Sequence, residues 1–252
     1  MAEQSGWPPP GYDGVTVSPD DPAIEAGMTA YPADQATILA YLARPASRGP
    51  HPGVLVCHEN RGLTEHFCDV ARRLAREGYV ALAVDVLSRE GGTAAIADQE
   101  RIPELLRDMS REQIVGDLRA GLRFLQAQPE VRADRIGMVG FCFGGGITWR
   151  CATQLPKLRA AVPFYGPNPP LEDVPHIQCS VLAIYAGNDT RINAGIEEIS
   201  AAMVAHGKTF SKLVYPGADH AFFNDTGPRY HPQAAADAWA RLLAWFAHYL
   251  QQ

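Results

Sequence analysis

Short apolar runs alternate with amphipathic stretches along most of this chain. Ile24 to Tyr31 and Thr37 to Ala43 are rich in apolar and β-forming residues and are separated by Pro-Ala-Asp-Gln, so they predict an opening hairpin. From Gly53 the rhythm changes. The apolar run Val54–Cys57 leads into Thr64–Glu77, where Phe67, Val70, Ala71, Leu74 and Ala75 share one helical face before Gly78 stops the helix. Tyr79–Val84 then completes a βαβ unit. Helices expected at about Arg111–Gln128, from Phe143, near Asn193–His206 and from Pro232 to Leu250 alternate with strands at Arg135–Phe141, Ala160–Tyr165, Val181–Ala186 and Phe210–Tyr215. This punctuation predicts the α/β class, with a mostly parallel, doubly wound central sheet and helices on both faces. Between Ser88 and Ser110, Gly91-Gly92 and Pro103 break the pattern. A loop or short helix is expected there, over the carboxyl ends of the strands where such sheets bind ligands.

The composition fits that picture: 252 residues, 46% hydrophobic and 20% charged, suit one large core. A single domain over residues 24–252 is expected, preceded by a proline-rich lead over residues 1–23, and there is no internal repeat. Lys plus Arg number 22 against 28 Asp plus Glu, a net charge of -6, which provides no basic field to gather nucleic acid. The opening MAEQSGWPPPGYDG lacks the basic flank and apolar stretch of a signal peptide, and the longest apolar runs, such as Val80–Val84, are strand-length. A cytoplasmic protein without a membrane partner is expected. The five cysteines, Cys57, Cys68, Cys142, Cys151 and Cys179, show no metal-ligand spacing and read as reduced thiols. His58 and His66 have no histidine four residues away and read as structural or solvated. Trp239, Trp245, Phe246 and Tyr249 read as packing of the last helix.

The chemistry concentrates in Gly140-Phe141-Cys142-Phe143-Gly144-Gly145, directly after an apolar strand and before a helix. This is the pattern of a nucleophile elbow, a tight strand-to-helix turn, with cysteine in place of serine. A thiol there meets the free N–H groups of a helix N-terminus, which favour thiolate. Asp189 follows the strand at Val181 and His220 follows the strand at Phe210. The order nucleophile, acid, histidine is that of the α/β-hydrolases, with histidine moving the proton and aspartate fixing its tautomer. Asp219 is a rival acid, but it adjoins His220 and is poorly placed to reach that ring. The backbone N–H groups of Phe143 and Asn60 are the expected oxyanion donors.

With these residues the chain resembles the dienelactone hydrolase family (carboxymethylenebutenolidase type) from about Ala36 to the last helix. The resemblance rests on the cysteine elbow, on His58-Glu59-Asn60-Arg61-Gly62-Leu63, on Asp85-Val86-Leu87-Ser88-Arg89 and on Gly217-Ala218-Asp219-His220-Ala221-Phe222. It implies one α/β-hydrolase domain, a Cys142–Asp189–His220 triad, Glu59 beside the thiol, Arg89 facing a substrate carboxylate, and hydrolysis of enol lactones without metal or cofactor. A carboxylate beside Cys142 is expected to disfavour the thiolate and protect it from oxidation.

One position departs from the family pattern. Asn224 stands where a second carboxylate-binding arginine is expected, four residues after the histidine. Arg61 and Arg191 are candidate substitutes, and Phe222 and Phe223 are expected to make the substrate pocket more apolar. The expected activity is hydrolysis of a small-molecule lactone or small ester through an acyl-thioenzyme. The alternatives are an esterase or thioesterase for neutral substrates, and a non-catalytic ligand-binding homologue.

Overall fold

The computed structural model describes residues 15–252, so the proline-rich start of the lead lies outside the described residues. Ile24–Ala33 (β1) and Ala36–Pro45 (β2) form the opening hairpin, paired antiparallel along their whole length. It is longer than the apolar runs predict. Pro32 and Ala33 stay in β1, and Asp34 and Gln35 turn the chain with φ of 28° and 60°. Two consecutive positive φ values suit the twist of a two-residue hairpin, and β1 is an edge strand, where proline is tolerated.

The alternation that follows is the expected one. His51–Cys57 (β3), Glu65–Arg76 (α1) and Val80–Val84 (β4) form the first βαβ unit. Ile102–Asp108 (α2) lies inside the Ser88–Ser110 stretch, ahead of Arg111–Gln126 (α3). Val131–Phe141 (β5), Phe143–Gln154 (α4), Leu158–Phe164 (β6) and Ser180–Ala186 (β7) come next. Thr190–Asn193 (α5), Ile196–Ala205 (α6), Phe210–Tyr215 (β8) and Pro232–Phe246 (α7) close the chain. The single helix expected near Asn193–His206 is two. The Asp189 side chain accepts from the Ile192 N–H and caps a short helix earlier than the periodicity predicts, and Gly195 then restarts the chain as the cap of α6.

The strands lie in the order β1-β2-β4-β3-β5-β6-β7-β8, with β3 to β8 parallel and β2 antiparallel to β4. Both faces are covered. On β3, Leu55 and Cys57 join Leu118 and Leu122 of α3 and Trp149 of α4, whereas Val54 and Val56 join Phe67 and Leu74 of α1 and Leu242 and Phe246 of α7. The pleat sends alternate side chains to opposite layers, which is why these strands read as continuous apolar runs. The carboxyl ends of β3, β5, β7 and β8 therefore converge on one edge, and each is followed by one of Glu59, Cys142, Asp189 and His220.

Candidate active site

Cys142 sits between β5 and α4 with φ 55° and ψ −112°, a conformation that L-residues adopt only when the surroundings enforce it. The flanking glycines show what enforces it. A Cβ on Gly140 would collide with the Gly144 carbonyl, and one on Gly144 with the Cys57 carbonyl. The elbow is thus pressed against the end of β3. Its own backbone is held by Cys142 N–H donating to the Phe164 carbonyl at 3.0 Å.

His220 reaches the thiol from the loop after β8. Its Nε2 lies 3.0 Å from Cys142 Sγ, and its Nδ1 lies 2.5 Å from Asp189 Oδ2. A carboxylate only accepts, so Nδ1 carries the proton and the Nε2 lone pair faces the thiol. The second oxygen of Asp189 accepts from the Ile192 N–H at 3.3 Å, which fixes the carboxylate in turn. The rival, Asp219, instead accepts from the Asn188 side chain at 2.9 Å.

Glu59 is buried beside this pair. Its Oε1 accepts from the Tyr165 hydroxyl at 3.0 Å and its Oε2 from the Asn224 side-chain amide at 3.0 Å. Burial and then the Glu59 charge push the Cys142 thiol up to about 12, against the opposing pull of the Phe143 N–H, Arg191 and Arg229. Desolvation outweighs the helix N-terminus here. The resting thiol keeps its proton, contrary to the expectation from the elbow alone. Of the five cysteines, Cys142 is the one that is not buried.

The thiol opens into a cavity of about 460 Å³ lined by Asn60, Phe143, Tyr165 and His220, and by Arg107, Arg111 and Arg191 at its rim. Among the described residues, no Asp or Glu lines it. Arg111 lies over the Phe143 ring at 5.1 Å and donates to the Leu106 carbonyl at 2.7 Å, so its guanidinium is held in place.

Several expected substrate contacts fall elsewhere. Arg89 does not reach the cavity: its Nε and Nη2 hold Asp117 of α3 at 3.0 and 2.8 Å, and Nη2 also donates to the Ala33 carbonyl. A bidentate carboxylate partner nearby in space captured it. Asn224 is spent on Glu59, and Arg61 pairs with Glu100 at 3.1 Å. Phe222 and Phe223 are fully buried, Phe222 against Tyr165 and Tyr215 and Phe223 against Phe141, so they are core and not pocket wall. The sequence reading missed Tyr165, Arg107 and Arg111. For Tyr165 the available signal was its place at the end of the strand beside the one that leads into Cys142. The two arginines lie around the α2–α3 junction, and nothing in their spacing marks them.

The family model for "Dienelactone hydrolase family" matches residues 38–250. A "Putative carboxymethylenebutenolidase" of Methylorubrum extorquens is 36% identical over 247 residues, covering 93% of this chain and 85% of that protein. The protein of the same name from Escherichia coli K12 is 36% identical over 266 residues, covering 98% and 96%. The crystal structure of a "Putative Dienelactone Hydrolase" from Klebsiella pneumoniae superposes with a TM-score of 0.83 at 37% identity, covering 90% of this chain and 100% of that one. With the model spanning both the elbow and the histidine loop, the chain belongs to the dienelactone hydrolase family and is a hydrolase of the α/β-hydrolase fold.

Proposed function

We propose that this protein hydrolyses a lactone or small ester through Cys142, and that the substrate carries an anionic group. The observation that carries the reading is the chain of contacts Cys142 Sγ to His220 Nε2 at 3.0 Å and His220 Nδ1 to Asp189 at 2.5 Å. Sulfur attacks the carbonyl carbon while its proton passes to Nε2. The oxyanion is taken by the N–H groups of Phe143 and Asn60. The tetrahedral adduct collapses, the C–O bond breaks, and the imidazolium returns its proton to the departing oxygen. Water, deprotonated by the same nitrogen, then attacks the thioester and releases the acid and the thiol. In a lactone the departing oxygen stays tethered to the acyl group. Family membership supports this reading, as do the relatives that bear the carboxymethylenebutenolidase name.

The preference for an anion rests on the three rim arginines and on the lack of a lining carboxylate among the described residues. Like-signed rim charges raise the local concentration of an oppositely charged substrate, and a guanidinium binds a carboxylate in a bidentate fork. Neutral esters gain neither. A panel comparing carboxylated lactones and esters with their methyl esters tests the proposal. A kcat/KM at least about tenfold higher for the anions is expected, the effect of about 1.4 kcal/mol. Equal values would remove the anion preference, and no hydrolysis of any member would remove the activity.

A further inference from the structure

His58 stands next to Glu59 and touches neither the thiol cavity nor solvent; it is fully buried at the end of β3. Both of its ring nitrogens are engaged. Nε2 lies 3.1 Å from the Val86 backbone N–H, which can only donate, so Nε2 is the bare acceptor nitrogen. Nδ1 therefore carries the proton and donates to the Glu59 carbonyl at 2.7 Å. Burial lowers the His58 pKa and holds the ring neutral, although Asp85 lies 4.0 Å from Nε2.

The Glu59 carbonyl belongs to the same peptide plane as the Asn60 N–H. In a trans peptide these two groups point in opposite directions. Fixing the carbonyl toward His58 therefore aims the Asn60 N–H away from it. Gly62 N–H donates weakly to the same carbonyl at 3.4 Å, with Gly62 at φ 81°, so the turn adds to the constraint. Asn60 lines the cavity with Cys142 and Phe143. Its N–H has no hydrogen-bond partner among the described residues. Phe143 N–H, in contrast, already faces the thiol.

We infer that His58 is a positioning residue for the oxyanion hole: by holding the Glu59 carbonyl between β3 and the Val86 segment, it aims the Asn60 N–H at the reacting carbonyl oxygen. This rests on the hydrolytic reading above, in which that N–H is an oxyanion donor. The geometry also explains why the imidazole is neutral and doubly bonded. A ring free to change tautomer would lose either Val86 or Glu59.

Two reactions of Cys142 separate positioning from simple structural support. Acylation by p-nitrophenyl acetate builds an oxyanion. Alkylation by iodoacetamide is a displacement at saturated carbon and builds none. In His58→Asn the short amide reaches where Nδ1 was and retains the donor to Glu59. In His58→Gln the longer amide falls near Nε2 and serves Val86 instead. Acylation by His58→Gln is expected to fall by about 100-fold, the usual loss of one oxyanion donor, with alkylation within about twofold of the parent. His58→Asn is expected to recover most of that loss. Should the Gln variant fail to fold, His58→Phe, which offers no donor in a similar volume, takes its place with the same expectation. Acylation that survives in His58→Gln or His58→Phe, or that falls in parallel with alkylation, overturns the inference and leaves the hydrolytic reading intact. A parent that is alkylated but never acylated at Cys142 overturns that reading, and the inference with it.

Discussion

The side-chain amide of Asn224 donates to Oε2 of Glu59 at 3.0 Å. Asn224 stands where an arginine is expected from the family pattern, and through this contact it holds the carboxylate without neutralising it. With Tyr165 on the other oxygen, the Glu59 carboxylate is fixed in place, and after burial it is the second cause that pushes the Cys142 thiol up to about 12.

The thiol is therefore expected to respond to the charge at Glu59. A negative neighbour disfavours a second negative charge, so Glu59→Gln lowers the pKa of Cys142, and Asn224→Arg lowers it by pairing with Glu59. Thiolate absorbance from Cys142 is expected to rise only toward about pH 12 in the parent and at lower pH in both variants. The variants are also expected to oxidise faster. An unchanged titration would mean that burial alone sets the thiol.

Arg111→Ala and Arg191→Ala are each expected to lower the kcat/KM ratio of a carboxylated lactone to its methyl ester. A charge-assisted hydrogen bond contributes about 1.5–3 kcal/mol. Partial exposure of the rim reduces this to roughly three- to tenfold. Arg89→Ala leaves the ratio unchanged, because its guanidinium is tied to Asp117 outside the cavity. The three ratios, measured on one substrate pair, distinguish the rim from the position that the family pattern suggests.

Arg89→Ala is instead expected to reduce stability. Asp117 is buried and loses both of its charge-assisted donors, which leaves a poorly satisfied carboxylate at a cost of about 1–3 kcal/mol. The shift in urea midpoint reads this directly. Arg89→Ala combined with Asp117→Ala removes both partners, and the loss should not exceed that of the single variant by much.

Asp189→Asn keeps the shape of the acid and offers an amide donor to the ring. The tautomer then reverses and places a proton on Nε2, facing the thiol. A loss of kcat of about 10³-fold or more is expected with little change in KM, and fast kinetics on one ester suffices to measure it.

That Cys142, Asp189 and His220 meet could be read from the sequence because each lies in the loop after a parallel strand, and parallel strands deliver their following loops to one edge. Cys142, Asp189 and His220 needed only that rule and the glycines around the elbow. The misplaced residues depended on tertiary partners. Arg89 could not be assigned without knowing that α3 brings Asp117 to it. Phe222 could not be placed without knowing that Ala221, at φ 69°, turns the chain so that its neighbour enters the core. Arg107 lies in the proline- and glycine-marked stretch that gives no period, and Arg111 opens a predicted helix whose partner was unknown, so their place in the wall of the Cys142 cavity depended on how α2 meets α3. His58 looked like a bystander because its work is done through the Glu59 backbone carbonyl, and sequence records only side chains.

The most direct test of the account is intact-protein mass spectrometry of the enzyme quenched during turnover of a slow ester. One acyl adduct per chain, mapped to Cys142 and absent in Cys142→Ala together with turnover, is the predicted result. An adduct on another residue, or a Cys142→Ala enzyme that hydrolyses the ester at the parent rate, would contradict it.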